Sequence, residues 1–403
     1  MRVLVAPDCF AGTLSAPEAA RAIEAGWARC APGDSIELCP LADGGPGFLD
    51  VVQAALGGTV HERPVSGPLG GLVPARVLLV ERPGGPPTAY LESADAGGLH
   101  LVPEQDRDPS RTTTRGVGEL LLAAVELGAG RIVVGLGGSS TNDAGAGMLA
   151  ALGLGFRPGG GGLGQGGGPL GQGGGGLGSV TALDLAGLLS LRRGLAGLDL
   201  VAAVDVDVPL LGLHGASAGF APQKGASQEQ AQELERALGH FATLAESALD
   251  GESARANLLV ASKQGRDRRT ATLPGAGAAG GLGFGLALLG AQLVPGAALV
   301  ADAVGLAERL ARNDLVVTGE GTFDWQSLHG NAVAEVARLA ALAGVPAIVL
   351  AGQSTVGRRE WSANGISGVY PVAARPEEVR AALADPAGTL ASRAARVART
   401  WSR

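Results

Sequence analysis

The sequence predicts an α/β protein of two domains, and three observations carry that prediction. Its 403 residues exceed the usual size of a single hydrophobic core. Short apolar runs rich in β-branched residues alternate with stretches of helical period along most of the chain, the signature of βαβ units and a largely parallel sheet. Acidic residues or glycine turns follow several of those runs, at the strand ends where a parallel sheet opens a ligand crevice. Two such lobes with a cleft between them would suit an enzyme closing on a small substrate.

The elements follow in order. Arg2 to Ala6 reads as a strand stopped by Pro7 and Asp8, and Ser15-Ala-Pro-Glu18 is a capping box that starts a helix with Ala19, Ile23 and Trp27 on one face. A second strand, Ser35 to Leu41, ends before Asp43. Val65 to Val80 has paired Gly/Pro turns and alternating residues, which predict a β-hairpin and the entrance to the second domain. Further strands are expected at Thr88 to Glu92, Arg131 to Gly135, Leu200 to Asp205, Asp314 to Thr318, Ala347 to Leu350 and Gly368 to Val372, with helices at Gly116 to Ala124 and Met148 to Leu154. A discontinuous domain of residues 1–64 and 285–403, with residues 65–284 inserted, fits this pattern as well as two consecutive lobes do, and we adopt it. Pro158 to Ser179 is nearly all glycine, and ordering it would cost more entropy than its few leucines repay, so a mobile surface loop is expected there. Thr270 to Ala301 carries no charge, but Pro274, Pro295, Gln292 and its glycines leave Phe284 to Val294 as its solidly apolar part. That length suits a buried core helix rather than a membrane span.

Composition excludes several classes. A net charge of -7, from 31 basic and 38 acidic residues without a basic run, offers no footprint for nucleic acid. Cys9, Cys30 and Cys39 match no zinc or redox spacing and predict free thiols in a reducing compartment. The opening MRVLVAPDCF lacks the apolar core and cleavage site of a signal peptide, so a cytoplasmic location is expected. The histidines, His61, His100, His214, His240 and His329, form no cluster with metal-ligand spacing. Only two lysines occur, Lys224 and Lys263, so a lysine lost to usage alone should reappear as arginine.

No GxxxxGK[ST] loop is present and no HRD or DFG set, so a phosphate site must be built another way. Gly135-Leu-Gly-Gly-Ser-Ser-Thr-Asn-Asp143 follows a strand and precedes a helix, which makes the amides and hydroxyls of Gly137, Gly138, Ser139, Ser140 and Thr141 candidates for an anion. Pro274 to Gly283 contains a literal GxGxxG with Gly275 and Gly277, although Arg268 to Leu273 makes a poor preceding strand. Asp8, Asp43, Asp205 with Asp207, and Glu320 with Asp324 sit at the carboxyl ends of strands. Carboxylates gathered on one edge repel unless cations neutralise them, and Mg²⁺ with ATP is the obvious neutraliser. Lys224 in a turn-forming stretch suits a phosphate, and Arg115, opening a helix after three threonines, suits a substrate carboxylate.

Taken in order, APDCFAGTLSAPEAA, PLADGGPG, TTTRGVGELL, GLGGSSTNDAGAGM, AVDVDVPLLGLHGASAGFAPQKGAS, PGAGAAGGLG and VVTGEGTFDWQSLHGN resemble the bacterial type-1 glycerate kinase family over almost the whole chain. The resemblance implies two α/β domains, one flavodoxin-like, with the active site in the interdomain cleft. It implies ATP and Mg²⁺ as co-substrates, glycerate as substrate and, for most bacterial members, 2-phosphoglycerate rather than 3-phosphoglycerate as product. From charge and hydropathy no nucleic-acid or membrane partner is expected, and the chain is expected as a monomer or homodimer. Within that frame Asp205, Lys224 and Asp324 are expected to be catalytic, Asp43, Arg115 and Asn142 to bind substrate, the glycine-rich turns to hold phosphate, and Asp8 and Glu320 to hold the metal. The chain departs from the family pattern at Cys9, Ala11, Pro46, Val208 and Asn331, with two family lysines lost at Ala11 and Asn331. A related hydroxy-acid kinase of altered substrate, or a catalytically weak nucleotide-binding relative, is the alternative that those losses leave open.

Overall fold

The computed structural model describes residues 1–10, 12–155, 170, 173–182, 184–256, 269–328 and 330–402, without the side chains of 250–256. Ala11, Lys263, His329 and, within the glycine-rich tract, residues 158–169 and 171–172 therefore lie outside the described residues. The strands are β1 (Arg2–Val5), β2 (Ser35–Leu38), β3 (Thr59–Ser66), β4 (Leu72–Arg82), β5 (Gly85–Glu92), β6 (Arg131–Leu136), β7 (Asp199–Val204), β8 (Gln292–Pro295), β9 (Leu315–Phe323), β10 (Ala347–Ser354) and β11 (Ile366–Pro371). They fall into two compact units, one of Met1–Gly57 with Pro295–Arg403 and one of Gly58–Val294. Val65, where the sequence places the start of the second domain, lies inside β3, whose whole length pairs with β4.

The first unit is a parallel sheet in the order β11-β10-β9-β1-β2. Numbered within the unit, that is the doubly wound order 2-1-3-4-5, which reverses direction between β1 and β9 and opens a crevice there. Alternation sorts its side chains. Val3, Val5, Leu315, Val317, Ile348 and Leu350 face Ile23, Trp27, Leu390 and Val397 on one side, while Val349 and Ala351 meet Phe323, Val333 and Ala337 on the other. The capping box at Ser15 and Glu18 forms as the sequence predicts, and Ala19, Ile23 and Trp27 are fully buried. Gly26 is required where this helix crosses the C-terminal helix Pro386–Trp401, because a Cβ there would strike the Ala391 backbone.

The second unit carries a mixed sheet, β3-β4-β5-β6-β7-β8. The expected hairpin is β3 with β4; β4 and β5 are also antiparallel, while β5, β6 and β7 run parallel. Two expectations change here. Apolar Phe284–Leu288 ends a fully buried helix, Ala278–Leu288, but Gln292–Pro295 is strand rather than helix, because Gly290 with φ +101 breaks the turn first. The last part of the glycine-rich tract is packed instead of forming a loose loop. Gly174–Ser179 is a 3-10 helix, Leu170 and Leu177 are fully buried, and the Gly175 amide donates to Ser110 O at 2.8 Å. The two leucines repay ordering because each sits in the core rather than on the surface. No helix among the described residues is long and apolar enough to cross a membrane, and the three cysteines are free thiols.

Candidate functional site

Each unit holds a cavity at the carboxyl ends of its parallel strands. In the first unit a cavity of about 340 Å³ is lined by Asp8 beyond β1, by Asp43, by Glu320 and Thr322 of β9, by Gln353 of β10, and by an apolar wall that includes Val379, Leu383 and Leu390. The Asp8 amide donates to Gly319 O at 2.8 Å, which fixes it across the reversal point, and its carboxylate accepts from the Cys9 amide at 2.6 Å. Asp43 Oδ1 accepts from the Gly45 amide at 3.2 Å.

Among the described residues no basic side chain lines this cavity, and the acids show the consequence. Burial first, and Asp43 next, push the Asp8 carboxyl well above the usual carboxylate range. Burial likewise raises Asp43, and it lifts Glu320 to about 8, with Asp324 and Asp43 adding to the effect. Glu320 Oε1 is buried without a hydrogen-bond partner. Buried carboxyls lacking a counter-charge fit a hard divalent cation. Among the described residues no three His, Cys, Asp or Glu side chains are grouped to hold one metal ion, so a metal here would take one or two of these carboxylates, the number Mg²⁺ ordinarily takes.

In the second unit a cavity of about 290 Å³ is lined by Gly137, Gly138 and Ser139 after β6, by Asp205 after β7, by Lys224, and by Gly277 to Gly280. Lys224 is 4% exposed. Its Nζ donates to Ser139 Oγ at 2.8 Å and to Thr141 O at 2.7 Å. Burial pulls its pKa down to about 8, against the opposing pull of Asp205 and Asp143. The facing wall needs glycine at 280 and 281, where φ is +68 and +87 and a Cβ on Gly280 would strike Thr141 O.

The predicted residues divide accordingly. Asp8, Asp43 and Glu320 share the first cavity; Gly137, Gly138, Ser139, Asp205, Lys224 and Gly277 share the second. Six others line neither. Ser140 and Thr141 are buried, with hydroxyls donating to Gly97 O at 3.0 Å and Ala279 O at 3.5 Å. Asn142 is fully buried and donates to Ser217 Oγ at 3.0 Å. Arg115 Nε donates to Glu119 at 3.1 Å, and Gly275 packs on Val204. Asp324 likewise lies off the first cavity, accepting from the Gln326 amide at 2.8 Å as the cap of a short 3-10 turn.

Sequence reasoning missed the framework of the second cavity. Asp143 is fully buried and accepts from Thr114 N at 2.8 Å, Thr114 Oγ1 at 2.9 Å and the amides of Gly145 and Gly147 at 3.1 Å each. It thereby joins the helix Arg115–Glu126 to the turn after β6. The run Thr112-Thr113-Thr114 was the available signal: the hydroxyls of Thr113 and Thr114 both reach Asp143, while that of Thr112 donates to Ser140 O.

The sequence profile of the glycerate kinase family matches residues 3–402. The chain is 41% identical over 381 residues to a glycerate kinase of Bacillus subtilis, covering 92% of this chain and 90% of that one. It is 39% identical over 383 residues to the glycerate 2-kinase of Escherichia coli, covering 92% and 90%. A crystal structure of a provisionally named glycerate kinase 2 from Salmonella typhimurium LT2 superposes with a TM-score of 0.73 at 37% identity, covering 99% of this chain and 98% of that one. A match of that extent along the whole sequence, repeated in the fold, makes this chain a member of the glycerate kinase family.

Proposed function

We propose that this chain transfers the γ-phosphate of ATP to glycerate in the cytoplasm, forming 2-phosphoglycerate in preference to 3-phosphoglycerate. The observation that carries the reading is Lys224, an amine buried beside Asp205 and beneath a glycine-rich turn at a strand end. A cation buried at that depth is retained where an anion needs it, since burial alone disfavours the charge. Lys224, the Gly137–Ser139 turn and Gly277 hold the phosphate, and Asp205 accepts the proton of the attacking hydroxyl. Asp43 orients the substrate. Asp8 and Glu320 hold Mg²⁺, which neutralises phosphate charge when bound. Arg115, Asn142 and Asp324 are left out of the proposal because none of them lines either cavity.

A coupled assay of ADP release with D-glycerate, Mg²⁺ and ATP tests the reaction, and phosphorus NMR of the product distinguishes the 2- from the 3-phosphate. Absence of turnover with every substrate at millimolar concentration would reject the reading.

A further inference from the structure

Lys224 has a geometry that phosphate binding does not use up. Nζ lies 2.8 Å from Ser139 Oγ and 2.7 Å from Thr141 O; the protonated amine donates to both, and once neutral it still donates to Thr141 O while its lone pair accepts the Ser139 hydroxyl proton. Burial favours that neutral form, lowering the pKa to about 8, while Asp205 and Asp143 are the charged groups that oppose it. A hydroxyl beside an amine fixed by a backbone carbonyl is the arrangement of an activated serine. Among the three hydroxyls of this turn, those of Ser140 and Thr141 are committed to Gly97 O and Ala279 O. Gly137, Gly138 and Gly277 around Ser139 leave bare backbone in the cavity wall, as close approach of a carbonyl group requires.

We propose that Ser139 is a nucleophile, with Lys224 as its general base, that accepts acyl groups from compact activated esters entering this cavity. Ser139 Oγ forms a bond to the ester carbonyl carbon while its proton passes to Lys224 Nζ. The bond to the leaving alkoxide or phenolate breaks, and that group takes the proton from Lys224 or from solvent. Lys224 Nζ, neutral again once its proton has gone to the leaving group or to solvent, takes a proton from the water that attacks the acyl carbon and passes it to Ser139 Oγ as the acyl–oxygen bond breaks, which releases the acid and regenerates the serine. The step needs neither nucleotide nor metal and stands apart from the phosphotransfer reading.

The test uses the full chain and p-nitrophenyl acetate. The expected result is a burst of p-nitrophenolate approaching one equivalent, with acetyl found by mass spectrometry on the peptide containing Ser139. Ser139→Ala should abolish the burst, and Lys224→Met should slow it by about 10²-fold. The wild-type rate should rise with pH through an inflection near 8. Acetyl on Lys224, Lys263 or the N-terminal amine with none on Ser139 would overturn the proposal, as would a burst rate unchanged in Lys224→Met. Should that variant lose its circular dichroism, Ser139→Ala and the wild-type pH profile decide alone, and a profile without the inflection is refuting.

Discussion

Replacing Lys224 with methionine should make the protein more stable at neutral pH while damaging its chemistry. The pKa falls from 10.5 to about 8 on burial, and each tenfold change in proton affinity is worth about 1.4 kcal/mol, so holding the charge costs the fold about 3 kcal/mol. The folded value is the lower one. The unfolded chain therefore holds the extra proton between about 8 and 10.5, stability rises with pH across that window, and the full cost applies below about 8. Methionine escapes this cost but forfeits two hydrogen bonds and leaves Thr141 O without its donor, a loss of about 1–2 kcal/mol. At pH 6.5 the variant should be the more stable protein by about 1–2 kcal/mol; by pH 9.5 the wild type should have recovered about 2 kcal/mol against it. Guanidinium unfolding followed by far-ultraviolet circular dichroism measures both differences. A stability difference that does not change with pH would refute the account of a charge held at a cost. ADP release should fall by about 10²-fold or more in the same variant.

Three further outcomes follow from the geometry. Glu320→Gln removes a carboxylate from the acidic cavity and should raise the Mg²⁺ concentration for half-maximal ADP release by about tenfold, read from a magnesium titration, with chelation abolishing turnover in both proteins. Gly280→Ala combines a φ of +68 with a Cβ placed on Thr141 O, and should cost about 2–4 kcal/mol, seen as a lowered thermal midpoint. Asp143→Asn leaves at least one of its amide donors facing an NH₂ group, and should cost about 2–3 kcal/mol by urea unfolding; an unchanged midpoint would show that this carboxylate does not hold the turn.

Legibility in the sequence followed the range of the physics. Local devices could be read directly: the capping box at Ser15 and Glu18, the existence of a hairpin around Val65 to Val80, though not its full extent from Thr59, and the buried face of Ala19, Ile23 and Trp27 all show in residues a few positions apart. Strand-end placement could be read for Asp8, Asp43 and Asp205, because chain direction in a parallel sheet fixes which end opens a crevice. Side-chain direction could not. Ser139, Ser140 and Thr141 are consecutive and chemically alike, yet only Ser139 lines the cavity, and the choice is made by Gly97 and Ala279, both distant in sequence. Arg115 looked available because its partner Glu119 is one helical turn away and just as ordinary on a helix surface. Strand β8 was hidden because its four residues extend the apolar run of the helix before it, and only Gly290 marks the break.

The division of the first unit into residues 1–57 and 295–403 sets an order of events during synthesis. β1 pairs with β2, made soon after it, and with β9, which begins at Leu315. At about 5–20 residues per second, the ribosome needs about 15–55 s to go from Leu38 to Leu315. Throughout that interval the strand destined for the middle of a sheet has an open side, the kind of edge on which nascent chains associate. The inserted unit has all of its residues before the outer one does. Closure then waits for the helix Pro386–Trp401 to reach Ala16–Cys30, so a helix made early is covered by one made long after it.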